Sequence, residues 1–349
     1  MKDLTRIVLA GLGVRGGHWR AAIEKSPSSE LVGVVETRPG VVGDVPVYSS
    51  IEDALAAKPD TVIVATPPET HLAVVEPCLA AGIPVLCEKP LSESFAEAQS
   101  MARTARRYET PLLVGMNFRF MPSMQTMRDL IARREYGEPL FSEFTYIRNR
   151  DGRRKDLNDY PLTMDEPMLV DQSIHHLDLM RYVYGQEVIT ATALTWNPPS
   201  SVYASNSCVG ALLRFEDGFV VSYLGTWTSG TNRFDYRWRT DLADGTLIQH
   251  EQFGDLFAAS RIPELALEGR PFDTEYEPPL PLGAGPSQPF VDDTENLLGH
   301  LIDVVQGNAE PGPTAADHLL TLSLVNSIRE ASATQTVVNV AERARSAIT

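Results

Sequence analysis

The chain has 349 residues, more than one compact core usually serves, so two domains are expected. Hydrophobic residues make up 43% and charged residues 22%, the balance of a water-soluble globular protein, and a net charge of -16 argues against nucleic acid as a partner. Three cysteines (Cys78, Cys87 and Cys208), with no CxxC or Cys/His spacing, imply no disulfide framework and no metal site.

The N-terminal "TRIVLA", Thr5 to Ala10, is a continuous apolar run of the kind buried on both faces of a parallel sheet, and it reads as a first strand rather than a signal peptide. "GLGVRG" follows, a G-x-G-x-x-G from Gly11 to Gly16. Then come a helical stretch, "GHWRAAIEKS", and a second apolar strand, "ELVGVVE", ending at Glu36. That acid lies 20 residues past Gly16, where a ribose-binding carboxylate is expected. Gly11 is expected to allow a tight turn, Gly13 to let a pyrophosphate approach the backbone, and Gly16 to let helix and strand pack closely. A helix N-terminus at this point offers unpaired N–H groups to phosphates.

The alternation continues with a helix at "SSIEDALAAK", where Ser49 and Glu52 have capping-box spacing. A strand at "DTVIVATPP" ends at Thr66-Pro67-Pro68, and a helix at "ETHLAVVEPCLAAG" is closed by Gly82. "IPVLCEKP" is a strand, "SFAEAQSMARTARRYE" a helix and "TPLLVGMNFRF" a strand. Strands alternating with helices imply a doubly wound parallel sheet, with ligands beyond the carboxyl ends of its strands. Gly11–Gly16, Glu36, Thr66–Pro68 and Glu88-Lys89-Pro90 then share one edge.

After Phe120 the pattern changes. A helix near Pro122–Glu135 leads to an alternating strand, "EPLFSEFTYIRNR", and later to "EVITATALTW". Two hairpins follow, with turns at Asp217-Gly218 and Asp244-Gly245. Leu267–Gln288 is rich in Pro and Gly and reads as a surface excursion. Helices around Asp293–Val305 and Ala315–Ser332 and a short strand at "TVVNV" complete the chain. The expected fold is α/β: a Rossmann domain over residues 1–121, then an α+β domain over 122–349 with a large open, mostly antiparallel sheet. That open face is a candidate oligomer surface. No stretch approaches the roughly 18 apolar residues of a membrane-spanning helix, so no membrane partner is expected. The low cysteine count fits a reducing cytoplasm.

Two motifs carry chemistry. "LCEKPLS" ends a strand on the cofactor edge, where Lys89 would stand near a nicotinamide and stabilise alkoxide character on a substrate oxygen. On local pattern alone, Lys89 ending a strand in solvent is an equal reading. Lys-Pro is an extended or turn dipeptide, open to the cis form. The second motif is "VDQSIHHLD", with two adjacent histidines between aspartates.

The glycine fingerprint, Glu36, "ATPPETH", "GIPVLCEKPLS", "VGMNFRF" and "VDQSIHHLD", in this order and spacing, resemble the glucose–fructose oxidoreductase / inositol dehydrogenase / rhizopine catabolism (Gfo/Idh/MocA) family. The resemblance covers nearly the whole chain. It rests most on Glu88-Lys89-Pro90 and on Asp-x-x-x-His, since the glycine fingerprint is widely shared. It implies NAD, or NADP, as cofactor and a sugar, inositol or related polyol as substrate. It also implies assembly as a homodimer or homotetramer through the open sheet. Carried over residue by residue, the cofactor contacts are Gly11, Gly13, Val14, Arg15, Gly16, Glu36, Thr37, Arg38, Thr66, Pro67, Pro68, His71, Glu88, Lys89 and Asn117. The catalytic residues are Lys89, Asp171 and His175, with Asp178 supporting.

Helical geometry points the same way. Asp171, His175 and Asp178 share one stripe of an α-helix, and His176 turns about 100° away. A solvated helix face is the competing reading of that stripe. An imidazole titrates near working pH, so His175 is the expected general base, and His176 is expected to matter to packing. Asp171 would hold the substrate or orient the site. Arg119, Arg148, Arg150, Asn158 and Tyr160 are candidates to line the pocket. The resembling family often has glycines before Asp-x-x-x-His. In this chain "DEPMLVDQ", with Pro167, replaces them, which bears on substrate shape. Two alternatives stand beside a dehydrogenase: an NAD-dependent glycosidase, in which transient oxidation enables elimination, and a non-catalytic NAD(P)-binding sensor. Intact Lys89, Asp171 and His175 count against the sensor.

Overall fold

The computed structural model describes residues 4–37, 45–150, 160–260 and 279–341. In chain order, β1 (Thr5–Ala10), α1 (Val14–Lys25), β2 (Ser29–Val35), β3 (Val47–Tyr48), α2 (Ile51–Leu55), β4 (Thr61–Val64), α3 (His71–Ala80), β5 (Val85–Cys87), α4 (Phe95–Arg107) and β6 (Leu112–Val114) come first. They are followed by α5 (Pro122–Ala132), β7 (Pro139–Ile147), a π-helical turn (Met168–Ser173), α6 (Ile174–Tyr184), β8 (Val188–Trp196), β9 (Cys208–Phe215), β10 (Val220–Thr226) and β11 (Asp235–Leu242). The last elements are β12 (Gly245–Gln249), β13 (Leu256–Ser260), β14 (Leu280–Pro281), α7 (Asp292–Val305), α8 (Ala315–Thr334) and β15 (Val338–Asn339).

Two compact units result. The first joins Met1–Phe120 with Gln288–Ser323, and the second joins Met121–Ser287 with Leu324–Arg343. The division falls at 120/121, and the first unit takes α7 from the later part of the chain. Its Leu297, Leu298, Leu301 and Ile302 close a core with Trp19, Ile23, Ile7, Leu9, Ile63, Leu86 and Leu113. Periodicity marks α7 as amphipathic but cannot say which sheet its apolar stripe covers.

The first unit is built on a parallel sheet of order β3-β2-β1-β4-β5-β6, the doubly wound arrangement. β4, β5 and β6 are buried at every residue, as strands covered on both faces must be. Two local readings are corrected. The cap of α2 is Ser50, whose hydroxyl accepts from Asp53 N–H, one residue along from the expected Ser49/Glu52 pair. And α1 begins at Val14, so Gly16 lies inside its first turn rather than before it.

The second unit holds a nine-stranded sheet of order β14-β13-β12-β11-β7-β10-β9-β8-β15. β7 and β10 pair in parallel and all other neighbours are antiparallel. Alternation buries Phe144, Tyr146, Leu213, Tyr223 and Trp238 on one face and leaves Leu194, Trp196, Leu212 and Leu224 exposed on the other. The β9–β10 turn is the expected Asp217-Gly218, with Gly218 at φ +90°. In the next hairpin the loop is Ala243-Asp244, and Gly245 already pairs in β12. A Cβ on Gly245 would lie 2.6 Å from the Ala259 carbonyl oxygen, so this glycine serves sheet packing rather than the turn. The strand β14 lies within the stretch expected to be irregular, and it adds an edge to the sheet by pairing with β13. Residues 261–278 of that stretch lie outside the described residues.

Candidate active site

In the first unit the cofactor-side residues gather at the carboxyl ends of β1, β2, β4 and β5. Gly11 leaves β1 at φ +90°, and a Cβ there would lie 2.8 Å from the Ala65 carbonyl oxygen. At Gly16 a Cβ would meet the Gly11 carbonyl oxygen at 2.1 Å, so only glycine lets the first turn of α1 lie on the loop backbone. Gly13, the N-cap, has open space where a side chain would project. The first turn of α1 has no side-chain cap and no acidic residue. Its N–H groups and dipole end are thus available to an anion. The Glu36 carboxylate accepts from Leu12 N–H at 3.1 Å, which sets it beside the glycine loop. An open glycine, an uncapped helix end and an acid fixed at the next strand's end fit a dinucleotide. Val14 is exposed at the head of α1, Thr37 is exposed after β2, and Arg38 lies outside the described residues.

Other expected cofactor residues are tied to neighbours within the unit. Thr66 follows β4, with its hydroxyl accepting from Thr70 at 2.8 Å, and Pro67 and Pro68 open a 3-10 turn. His71 is fully buried. Its Nε2 lies 2.9 Å from Thr66 O and its Nδ1 3.1 Å from both Pro90 O and Leu91 O. The ring thus clamps the loop after β4 to the loop after β5, a supporting place rather than the expected cofactor contact. Asn117 is buried and donates its amide to Asp293, whose carboxyl is pushed up from the ordinary range by burial, against the opposing pull of Arg15.

Glu88 is the hub. Its Oε1 accepts from Arg15 Nε at 2.6 Å and from Trp19 Nε1 at 2.8 Å, and its Oε2 accepts from Lys89 N–H at 3.3 Å. A Cβ on Gly115 would come within 2.9 Å of this carboxylate, so a glycine makes room for it. Arg15 stacks on Trp19 at 4.8 Å and gives Nη1 to Thr294 at 2.7 Å. Arg15 and Glu88 therefore form a partly buried support for the Lys89 backbone. Lys89 is half-buried at the end of β5 and joins Pro90 through a cis peptide. Trp19, Gly115, Asp293 and Thr294 are members of this cluster that sequence reasoning missed. The last two lie far along the chain on α7, and no local pattern links them to it.

In the second unit the expected α-helical stripe begins as a π-helical turn, Met168–Ser173, and continues as α6. Asp171 sits in the π turn, a geometry found frequently at functional sites. Its Oδ1 accepts from Tyr160 Oη at 2.8 Å, and its Oδ2 lies 3.6 Å from Arg150 Nη1. Arg150 is in turn held over the Trp227 ring at 4.3 Å. Of the expected pocket residues, Arg150 and Tyr160 thus gather on Asp171. Arg119 instead pairs with Asp317 at 2.6 Å in the first unit, Arg148 lies 5.8 Å from the Phe234 ring centre, and Asn158 lies outside the described residues.

The stripe is not a solvated face, because His175 and Asp178 are both buried. Asp178 lies 3.8 Å from Arg181, which forms a two-pronged pair with Glu187. His176 is fully buried among Phe144, Tyr146 and Tyr223, with ring centres 4.7, 4.8 and 5.9 Å away. Burial pushes its imidazole down to about 3. The expected packing role understates it, since both ring nitrogens are engaged: Nδ1 with Tyr223 Oη at 2.9 Å and Nε2 with Gln172 Nε2 at 3.1 Å.

Comparison with known proteins agrees with these two halves. A D-apiose dehydrogenase of Rhizobium rhizogenes is 27% identical over 289 residues, covering 80% of this chain and 79% of that one. An inositol 2-dehydrogenase of Mycolicibacterium gilvum is 31% identical over 232 residues, covering 62% and 63%. Among solved structures, an oxidoreductase from Agrobacterium radiobacter in complex with NAD+, L-tartaric acid and magnesium superposes with a TM-score of 0.83. It is 23% identical, over 97% of this chain and 99% of that one. Residues 5–116 match the family model described as the oxidoreductase family with an NAD-binding Rossmann fold, and residues 124–248 match the model of the Gfo/Idh/MocA C-terminal domain. With both of its domain models matched in order over most of its length, the chain belongs to the Gfo/Idh/MocA oxidoreductase family.

Proposed function

We propose that this oxidoreductase is an NAD-dependent dehydrogenase acting on a CH–OH group of a sugar, inositol or related polyol. The observation that carries the reading is Lys89, set at the carboxyl end of β5 by the Glu88 hub, on the strand-end edge that also holds Gly11 and Glu36. Bound NAD supplies the hydride acceptor at the carbon being oxidised. Lys89 hydrogen-bonds the substrate oxygen and stabilises its negative character, and His175 takes the hydroxyl proton at a ring nitrogen. Asp171, steadied by Tyr160 and Arg150, orients the substrate's remaining hydroxyls. The dehydrogenases of D-apiose and inositol among the relatives support a polyhydroxylated substrate.

Glu36 favours NAD over NADP, because its carboxylate accepts from ribose hydroxyls and repels a 2′-phosphate. The exposed Leu194, Trp196, Leu212 and Leu224 support a homo-oligomer joined through the open sheet face, and Leu212→Glu should shift the wild-type mass to that of a monomer in light scattering. The deciding experiment is a panel of sugars, inositols and glycosides with NAD and NADP, following reduced nicotinamide and hydrolysis separately. A dehydrogenase gives reduced nicotinamide without hydrolysis, and NAD gives the higher kcat/KM. Lys89→Ala and His175→Ala should each abolish turnover while the affinity for NAD stays near wild type. Wild-type kcat in either variant refutes the catalytic role of that residue, and hydrolysis without net reduction refutes the dehydrogenase.

A further inference from the structure

The geometry points to Ser173, His176 and Tyr223 as positioning residues that lock the π-helical turn carrying Asp171 onto the sheet and so fix the presentation of Asp171 and His175. The inference rests on the proposed substrate roles of those two residues, and it deepens them.

The hydrogen bonds form a chain with a single direction. Tyr146 Oη donates to Gln172 Oε1 at 3.3 Å, which orients the Gln172 amide with its NH2 toward His176 Nε2 at 3.1 Å. An amide NH2 can only donate, so Nε2 is the bare, accepting nitrogen and Nδ1 carries the proton. Nδ1 then donates to Tyr223 Oη at 2.9 Å. Tyr223 donates to Ser173 Oγ at 2.7 Å, and Ser173 donates to the Met168 carbonyl at 2.8 Å. The chain thus starts on the sheet and ends on the first residue of the π turn.

Every ring and hydroxyl from His176 onward is buried, so a missing partner is not replaced by water. The arrangement also requires a neutral ring at His176, in keeping with its burial among three aromatic rings. Gly225 on β10 provides the space. A Cβ there would lie 2.5 Å from Met168 Cε and 2.6 Å from Tyr223 Oη, so the glycine lets the turn and the hydroxyl meet.

The placement in sequence gives the chain its functional meaning. Gln172 and Ser173 directly follow Asp171, and His176 directly follows His175. Each residue that meets substrate is therefore next to one anchored to the sheet. A π turn departs from the α-helical ladder, and side-chain anchors of this kind hold the residues it carries in place.

The test uses the full chain and three readouts. First, imidazole nitrogen NMR of the wild type should find His176 as the neutral Nδ1–H tautomer from pH 5 to 8. A protonated ring or the Nε2–H tautomer overturns the inference without any variant. Second, amide hydrogen exchange is compared in wild type, Tyr223→Phe and Ser173→Ala. Exchange over 168–175 should rise about tenfold or more in both variants, with β9, β10 and β11 unchanged. Unchanged exchange, or an equal rise throughout the sheet, overturns it. Third, on the most active substrate of the panel, kcat should fall about tenfold in both variants with KM for NAD unchanged, and Ser173→Thr, which keeps the hydroxyl, should restore it. Wild-type kcat in Tyr223→Phe overturns the positioning role. If the wild type turns over no panel substrate, the functional reading fails, and the first two readouts still decide this inference.

Discussion

The glycine loop of the first unit and the π turn of the second reach their shapes by opposite means. At Gly11 and Gly16 the constraint is backbone against backbone: an added Cβ would strike a carbonyl oxygen at 2.8 or 2.1 Å. At Asp171–His176 the constraint is a set of buried side chains, some from the turn itself and others from β7 and β10. A backbone-built site tolerates no added atom. A side-chain-built site tolerates similar volume but not the loss of a polar atom, because the partner left behind is buried and unpaired.

Four measurements break or sharpen that contrast. Gly16→Ala should have the largest effect, at or above the ~3 kcal/mol upper end for overpacking, because the atom it meets is backbone and cannot turn aside. NAD titration and thermal melts should both show it. Gly17→Ala, one residue on, has nothing within 4 Å of its Cβ and should be neutral or gain up to about 1 kcal/mol. Equal effects at 16 and 17 would mean that the loop is not set by backbone contact.

Glu88→Ala comes next. It leaves Arg15 Nε and Trp19 Nε1 without their acceptor, and loss of one partner of a buried ion pair costs about 3–5 kcal/mol. The lower end is expected because the Arg15 side chain is 22% exposed. Denaturant unfolding measures this, and Glu88→Gln, which keeps the volume, should lose less. A Glu88→Ala protein as stable as wild type would dismiss the hub.

The third test uses pH. The His176 pKa falls from 6.5 in the unfolded chain to about 3 in the folded one, so between these values the unfolded state binds more protons. Stability is therefore fully present above pH 6.5 and is lost as pH falls toward 3. At pH 5 the loss from this ring is about 2 kcal/mol. His176→Gln should flatten the acid side of the Tm–pH curve relative to wild type. Burial also lowers the titration of His18 and His300, so part of the slope should remain. An unchanged slope would show that His176 is not sealed.

Tyr160→Phe should be the smallest. It removes one hydrogen bond to Asp171 from a side chain that is itself exposed, so kcat/KM on the identified polyol should fall by about tenfold at most, with Tm unchanged. A larger loss, or a drop in Tm, would extend the buried network outward to Tyr160.

How far each half was legible in the sequence follows from the same contrast. The cofactor side lies within one strand–loop–helix–strand run. Gly11, Gly13, Gly16 and Glu36 could be assigned from spacing because backbone geometry is a local property, and Lys89 marked its own strand end. Local pattern places the α2 cap one residue early, because Ser49 and Ser50 offer the same hydroxyl and only the folded backbone brings Ser50 to Asp53 N–H.

Sequence by itself determined the order of strands and helices, the parallel first sheet, the nucleotide fingerprint and the catalytic candidates Lys89, Asp171 and His175. The first three depend on periodicity or on spacing within a few dozen residues, and the catalytic candidates on the family resemblance carried by Glu88-Lys89-Pro90 and Asp-x-x-x-His. Tertiary structure alone decided that α7 completes the first core, that Arg15 turns to Glu88 and Thr294, and that the expected α-helix opens as a π turn. It also decided that His176 reads out through Tyr223 to Ser173. These depend on partners such as Thr294, 279 residues from Arg15, or Tyr223, 47 residues from His176. Buried polar groups take whichever partner the packed fold brings within about 3 Å, and a one-dimensional pattern carries no record of that meeting.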